Sequence, residues 1–191
     1  MIQNQLKLIP PSSYPSYHTV VLDPPWNEQG GGKSKRGADR HYPVMKTPQI
    51  LSTIIQGPHW NQLGDNAHMY MWVTNNFLID GLWLMEALNF RYVTNFVWIK
   101  MKDSKLQQGL GQYFRGSHEL CLFGTHKKGR SPTAHRTKAK DIVSVLFAER
   151  TKHSAKPVNS YEIIERRSQG PYLEIFSRKP RKGWTVWGNE V

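Results

Sequence analysis

The chain has 191 residues, 38% of them hydrophobic, and its 26 Lys+Arg against 14 Asp+Glu give a formal net charge of +12. That size and balance fit one globular domain, exclude a disordered or coiled-coil chain, and favour a polyanionic partner. No apolar run reaches the roughly 20 residues that cross a bilayer, the N-terminus lacks a signal-peptide pattern, and Cys121 as sole cysteine excludes an internal disulfide or a multi-cysteine metal site.

Residues 1–16 form a Pro- and Ser-rich lead-in, after which His18 to Asp23 reads as a short buried strand stopped by Pro24-Pro25. A long polar loop follows over 27–41, carrying Lys33, Lys35, Arg36 and Arg40 behind three glycines. Thr47 as N-cap and Pro48 as first helical residue start a helix with Ile50, Leu51, Ile54 and Ile55 on its apolar side, ended by Gly57-Pro58. Ala67 to Thr74 is expected as a strand, Phe77 to Leu88 as a helix and Tyr92 to Lys100 as a strand. The glycine-spotted segment 102–116 precedes another strand, His118 to Thr125. A second basic loop, 127–141, carries Lys127, Lys128, Arg130, Arg136, Lys138 and Lys140. Ile142 to Phe147 as strand, Pro157 to Arg167 as helix, Tyr172 to Phe176 as strand and the segment Trp184 to Glu190 complete the chain. Strands and helices in alternation predict an α/β sheet.

Two nucleotide signatures fail on spacing. Gly32-Lys33-Ser34 lacks the glycine a phosphate loop needs at Asn27, and the third glycine of a dinucleotide turn opened by Gly109 and Gly111 falls on Phe114. His118-Glu119 has no second histidine at zinc-binding spacing, so no metal site is expected.

Asp23-Pro24-Pro25-Trp26 stands at the carboxyl end of a predicted buried strand, where α/β sheets place ligand chemistry. An exocyclic amine on a nucleobase is a poor nucleophile because its lone pair is delocalised into the ring. A carboxylate at Asp23 and a rigidly aimed carbonyl at Pro24 can each accept one N–H, turning the lone pair away from the ring. Neither Pro24 nor Pro25 carries a competing N–H. Trp26 either packs as core or stacks on a base drawn from its helix.

The sequence resembles the MT-A family of N6-adenine methyltransferases. The likeness runs from about Tyr17 to Glu190 through DPPW, His41 to Met45, Met71 to Asn75, Phe96 to Lys100, Arg115 with His118-Glu119, Ala155 to Pro157, Glu174 to Arg178, Trp184 and Gly188 to Glu190. The resemblance implies a single-domain, Rossmann-like α/β methyltransferase fold in permuted order, with the catalytic motif first and the S-adenosyl-L-methionine elements near the C-terminus. It assigns catalysis to Asp23, Pro24, Pro25 and Trp26, and cofactor contacts to Asp23, Lys156, Arg178, Asn189 and Glu190. Arg181 stands where the family's eukaryotic catalytic subunit has Asn. Substrate selection is then expected from loops 27–41, 102–116 and 127–141, with Lys33, Lys35, Arg36, Arg40, Tyr42, Arg115, Lys127, Lys128 and Arg130 on nucleic acid. Arg115 and His118 stay open between that role and internal scaffolding. The expected activity is direct methylation of adenine N6 in DNA. RNA methylation within the same family, or a silent nucleic-acid-binding subunit, is the alternative. A homodimer or a related partner subunit is implied, with no membrane, in the cytoplasm of a prokaryotic or virally infected cell or in a eukaryotic nucleus.

Overall fold

Six residues from Tyr17 to Leu22 are buried on both sides except at His18, the pattern of a strand in the middle of a sheet. The computed structural model describes residues 16–28, 44–109, 111, 113–150 and 155–188, and within them this strand, β1, is central. The others are β2 (Leu63–Val73), β3 (Phe90–Lys102), β4 (Lys105–Leu106), β5 (His118–His126), β6 (Val145–Glu149), β7 (Tyr172–Ile175) and β8 (Trp184–Trp187). They form one sheet in the order β3-β5-β2-β1-β7-β8, with β4 and β6 both paired to β3. Parallel pairing joins β1 to β2 and β7, β7 to β8, and β3 to β6, whereas β5 runs antiparallel to both β2 and β3.

Among the described residues three α-helices cover the sheet, α1 (Thr47–Gln56), α2 (Leu78–Ala87) and α3 (Val158–Arg167). Alternation along each strand feeds two cores. Leu22, Met69, Met71 and Val73 meet Ile50 and Ile54 of α1 and Leu84 and Met85 of α2. Val21, Tyr70, Trp72, Trp98 and Cys121 meet Tyr161 and Ile164 of α3 on the other face. Gly81 lets α2 lie close on the sheet, since a Cβ there would stand 2.5 Å from Val73 Cγ1.

The expected elements form, with local differences. Thr47 is the first residue of α1, not its cap; Lys46 holds that position, its backbone N–H donating to Gln49 Oε1 at 2.9 Å. Thr47 instead donates its hydroxyl to Asp80 Oδ1 at 2.6 Å, tying α1 to α2. β2 begins at Leu63, ahead of Ala67, and β6 at Val145, after Ile142. β4 was not foreseen: Asp103 and Ser104 adopt positive φ (49° and 61°) and close a tight hairpin without the usual glycine.

Candidate active site

β1 ends between two parallel neighbours, β2 on one side and β7 on the other, so chain connections leave it in both directions. The crevice at the carboxyl ends of such strands is where open α/β sheets bind ligands. Asp23 emerges there, its N–H reaching Ile175 O of β7 at 3.4 Å. The next residues make a tight turn, with Trp26 N–H donating to Pro24 O and Met45 N–H to Pro25 O, both at 2.8 Å. The Pro24 carbonyl therefore already accepts one backbone hydrogen bond, unlike the unencumbered acceptor expected from its prolines. Its second lone pair remains for an incoming N–H.

Trp26 takes the core alternative. It is 6% exposed, stacks on Phe77 at 5.4 Å and donates its indole N–H to Trp72 O at 2.9 Å. A ring so enclosed braces the turn; base stacking is not the role this placement gives it.

Around Asp23 the strand ends assemble a chain of alternating charge. Lys156 Nζ stands 2.7 Å from Asp23 Oδ1 and 3.5 Å from Glu119 Oε2, and Lys100 Nζ 2.6 Å from Glu119 Oε1. Lys156 lies 5.6 Å above the Trp72 ring and Lys100 5.4 Å above Trp98. Side-chain exposures of 8% for Lys156, 12% for Glu119 and 18% for Asp23 make this a partly dry cluster. Burial pushes the Asp23 carboxyl above its ordinary value, with Lys156 pulling against it and Glu119 adding to the rise. Burial also opposes the charge on Glu119, but Lys156 and Lys100 together hold it below the usual carboxylate range. Glu28, bonded by Asn76 Nδ2 at 3.4 Å, is likewise pushed up by burial and by Glu119.

β7 brings the second half of the crevice. Phe176, just past its end, has φ of 66°, a conformation costly for a bulky residue and typical of ligand sites. Arg178 follows and acts electrostatically on Asp23. Glu174 is 5% exposed, receives the Tyr161 hydroxyl at 2.7 Å on Oε1, and has Arg181 Nε 3.5 Å from Oε2. The Arg181 guanidinium lies over the Tyr161 ring at 3.2 Å, so this departure from the family pattern is packed into the α3 face. Burial raises the Glu174 carboxyl.

Lys33, Lys35, Arg36, Arg40, Tyr42, Asn189 and Glu190 lie outside the described residues. Arg115 is exposed at the Asp23 end of the sheet, beside Tyr113 and Phe114 at 91% and 89% exposure, while His118 is half-buried at the start of β5. Lys127, Lys128 and Arg130 are elsewhere. Because β5 is antiparallel to β2, its far end delivers them to the opposite end of the strands, so loop 127–141 does not face Asp23. Lys127 pairs there with Glu86. Among the described residues no cluster of metal-ligating side chains occurs, and no helix is long and apolar enough to cross a membrane.

Glu119 and Lys100 are site residues that strand-by-strand reading did not single out. Their signal was charge inside otherwise apolar strands, on neighbouring strands in a register that pairs Trp98 with Glu119.

The MT-A70 family model matches residues 17–190, the span from the first strand through the last. The chain belongs to the MT-A70 family. MT-A70 methyltransferases take a methyl group from S-adenosylmethionine and modify the N6 amine of adenine in nucleic acid. Among similar proteins, type II methyltransferase M.MunI of Mycoplasma sp is 26% identical over 92% of this chain and 78% of its own length. The N(6)-adenine-specific methyltransferase METTL4 of Homo sapiens is 26% identical over 92% of this chain and 38% of its own. The N6-methyladenosine RNA methyltransferase MTA1 of Pyricularia oryzae is 26% identical over 94% and 48%. The chain thus spans under half the length of the last two.

Proposed function

We propose that this chain is an adenine-N6 methyltransferase acting on DNA, with a Rossmann-like sheet in permuted order. The observation that carries the reading is the Asp23 carboxylate at the carboxyl end of β1, 18% exposed and paired with Lys156 at 2.7 Å, followed at once by the Pro24 carbonyl. The sheet order, with antiparallel β5 between β2 and β3 and the β7-β8 pair on the other flank of β1, supports the permutation.

In this reading Asp23 and Pro24 each accept one N–H of an adenine amine held out of its stack, which localises the nitrogen lone pair. Bound S-adenosylmethionine supplies an electrophilic methyl group on sulfur. Asp23, whose carboxyl is raised by burial, would hold one amine hydrogen and take up a proton more readily than a surface aspartate, and the Pro24 carbonyl would hold the other, so that the nitrogen lone pair faces the methyl group the cofactor would supply. Lys156 and Arg178 are cations suited to the cofactor's carboxylate and ribose oxygens, and Glu174 Oε2 is a buried acceptor without a hydrogen-bond partner on the same face. The donor set therefore fits the cofactor's charge pattern. Lys100 acts through Glu119, holding it where it orients Lys156 toward Asp23.

DNA is favoured by the likeness to M.MunI, the relative among the three that is spanned most fully. The likeness to MTA1 supports RNA as the second reading. Both are tested by transfer of labelled methyl to matched single-stranded DNA, duplex DNA and RNA, with Asp23→Ala in parallel. Label on adenine N6 of DNA, lost in the folded variant, is expected; near-normal turnover by Asp23→Ala refutes the assignment.

A further inference from the structure

The second basic loop lies at the end of the sheet away from Asp23, so any phosphate contact it makes is remote from the reacting base. Between 127 and 140 six cations, Lys127, Lys128, Arg130, Arg136, Lys138 and Lys140, occur without a single carboxylate. All are exposed. They are also held in place. Lys127 N–H donates to Asn89 O at 2.9 Å, Ser131 N–H to Asn66 Oδ1 at 3.1 Å, and Thr137 N–H to Arg167 O at 2.9 Å. His68 bonds Pro132 O at 3.2 Å, Gln169 N–H donates to His135 O at 2.8 Å, and the His135 ring stacks on His18 at 3.8 Å. Such a segment presents its charges as a fixed surface, which costs little ordering entropy on binding.

Next to it, a polar cleft of about 100 Å³ opens between Arg91, His126 and Lys127, with room for one phosphate group and its waters. Glu86 and Asp141 offset only part of this field, through Lys127 and Arg166. The face lies at the far end of the strands: β5 runs His118–His126 between Glu119 and Lys127, about 27 Å at roughly 3.4 Å per residue. Along the axis of duplex DNA each strand carries one phosphate per about 3.4 Å, so this distance corresponds to about eight base pairs of duplex substrate.

We infer that the 127–140 face is a second nucleic-acid contact, gripping the phosphate backbone of the DNA substrate well away from the base that is methylated. It rests on the nucleic-acid reading above and adds a surface that takes no part in the chemistry. It positions by charge and carries no sequence information.

The test compares Lys128→Gln/Arg130→Gln/Lys138→Gln with a control carrying the same charge loss elsewhere, Lys46→Gln/Lys179→Gln/Lys182→Gln. Binding to a duplex of about 30 base pairs, long enough to reach both ends of the sheet, is followed by anisotropy across a salt series. For the 127–140 variant, affinity is expected to fall at least about tenfold and the slope of log K against log salt to flatten by about 3, one per lost contact. The control should change by less than about threefold, and neither variant should alter the melting temperature. Equal losses in both variants, or an unchanged slope in the first, overturn the proposal. Because binding is read without methyl transfer, a wild-type protein that binds the duplex through this face yet never methylates it would sink the enzymatic reading alone.

Discussion

Acidification should loosen the end of the sheet opposite Asp23 through one residue, His68. Its ring is 1% exposed, with Nδ1 2.8 Å from Ser168 Oγ and Nε2 3.2 Å from Pro132 O. The carbonyl can only accept, so Nε2 carries the proton and Nδ1 accepts the Ser168 hydroxyl, while Tyr70 O–H reaches the same Ser168 Oγ at 2.7 Å. This arrangement is complete for the neutral ring. Burial, with His135, Arg136 and Arg167 nearby, lowers its pKa from 6.5 to about 4, Pro132 O alone opposing them. The folded value lies below the unfolded one, so the stability held above pH 6.5 is lost as pH falls toward 4. At about 1.4 kcal/mol per pH unit the loss is about 3 kcal/mol. Urea unfolding of wild type and His68→Gln should give a stability difference that is constant above about pH 7 and shrinks by about that amount near pH 4. A difference that stays flat across the range would refute the reasoning, because Asp23, Glu28 and Glu174 are common to both proteins and cancel.

Glu119→Gln removes a charge that raises the Asp23 carboxyl and leaves Lys156 to Asp23 alone, so the acid limb of the pH profile for methyl transfer should move to lower pH; an upward move would contradict the charge chain. Trp26→Ala should cost about 3–5 kcal/mol in denaturant unfolding, as expected for a buried aromatic. A loss under about 1 kcal/mol with a large rise in KM for nucleic acid would return Trp26 to base stacking. Gly81→Ala sets a methyl 2.5 Å from Val73 Cγ1 and should cost about 1–3 kcal/mol, read as a lower melting temperature; unchanged stability would mean α2 can shift outward freely.

What the sequence made legible was local. A run of apolar residues stopped by Pro24-Pro25 announces a buried strand and the end at which its chemistry sits, and β1 with Asp23 follows that pattern. Burial of Trp26 could not be decided there, because a tryptophan after a turn serves core or ligand equally well. The identity of its partners, Phe77 and the Trp72 carbonyl, comes from how β2 and the following turn lie against β1. Likewise the Pro24 carbonyl's hydrogen bond depends on how tightly the turn closes, which prolines restrict without specifying.

The position of loop 127–141, away from Asp23, has an instructive cause. Gathering every basic loop around Asp23 would require all of them to leave the sheet at one end, which holds only when strands are parallel and helices make the crossovers. Between β3 and β5 the described residues contain no helix, only the small hairpin of β4 and the segment after it. Parallel neighbours are usually joined through a helix; here β5 reverses instead, carrying Lys127, Lys128 and Arg130 to the end of the strands opposite Asp23. The same reversal brings Glu119, at the start of β5, beside Lys100 near the end of β3, and both to Lys156 and Asp23. One antiparallel strand thus builds the charged floor of the crevice at one end and displaces a basic surface to the other. The glycine-spotted connection 103–117 is long enough for a crossover, so its direction is set by how β3 and β5 pair and not by its length.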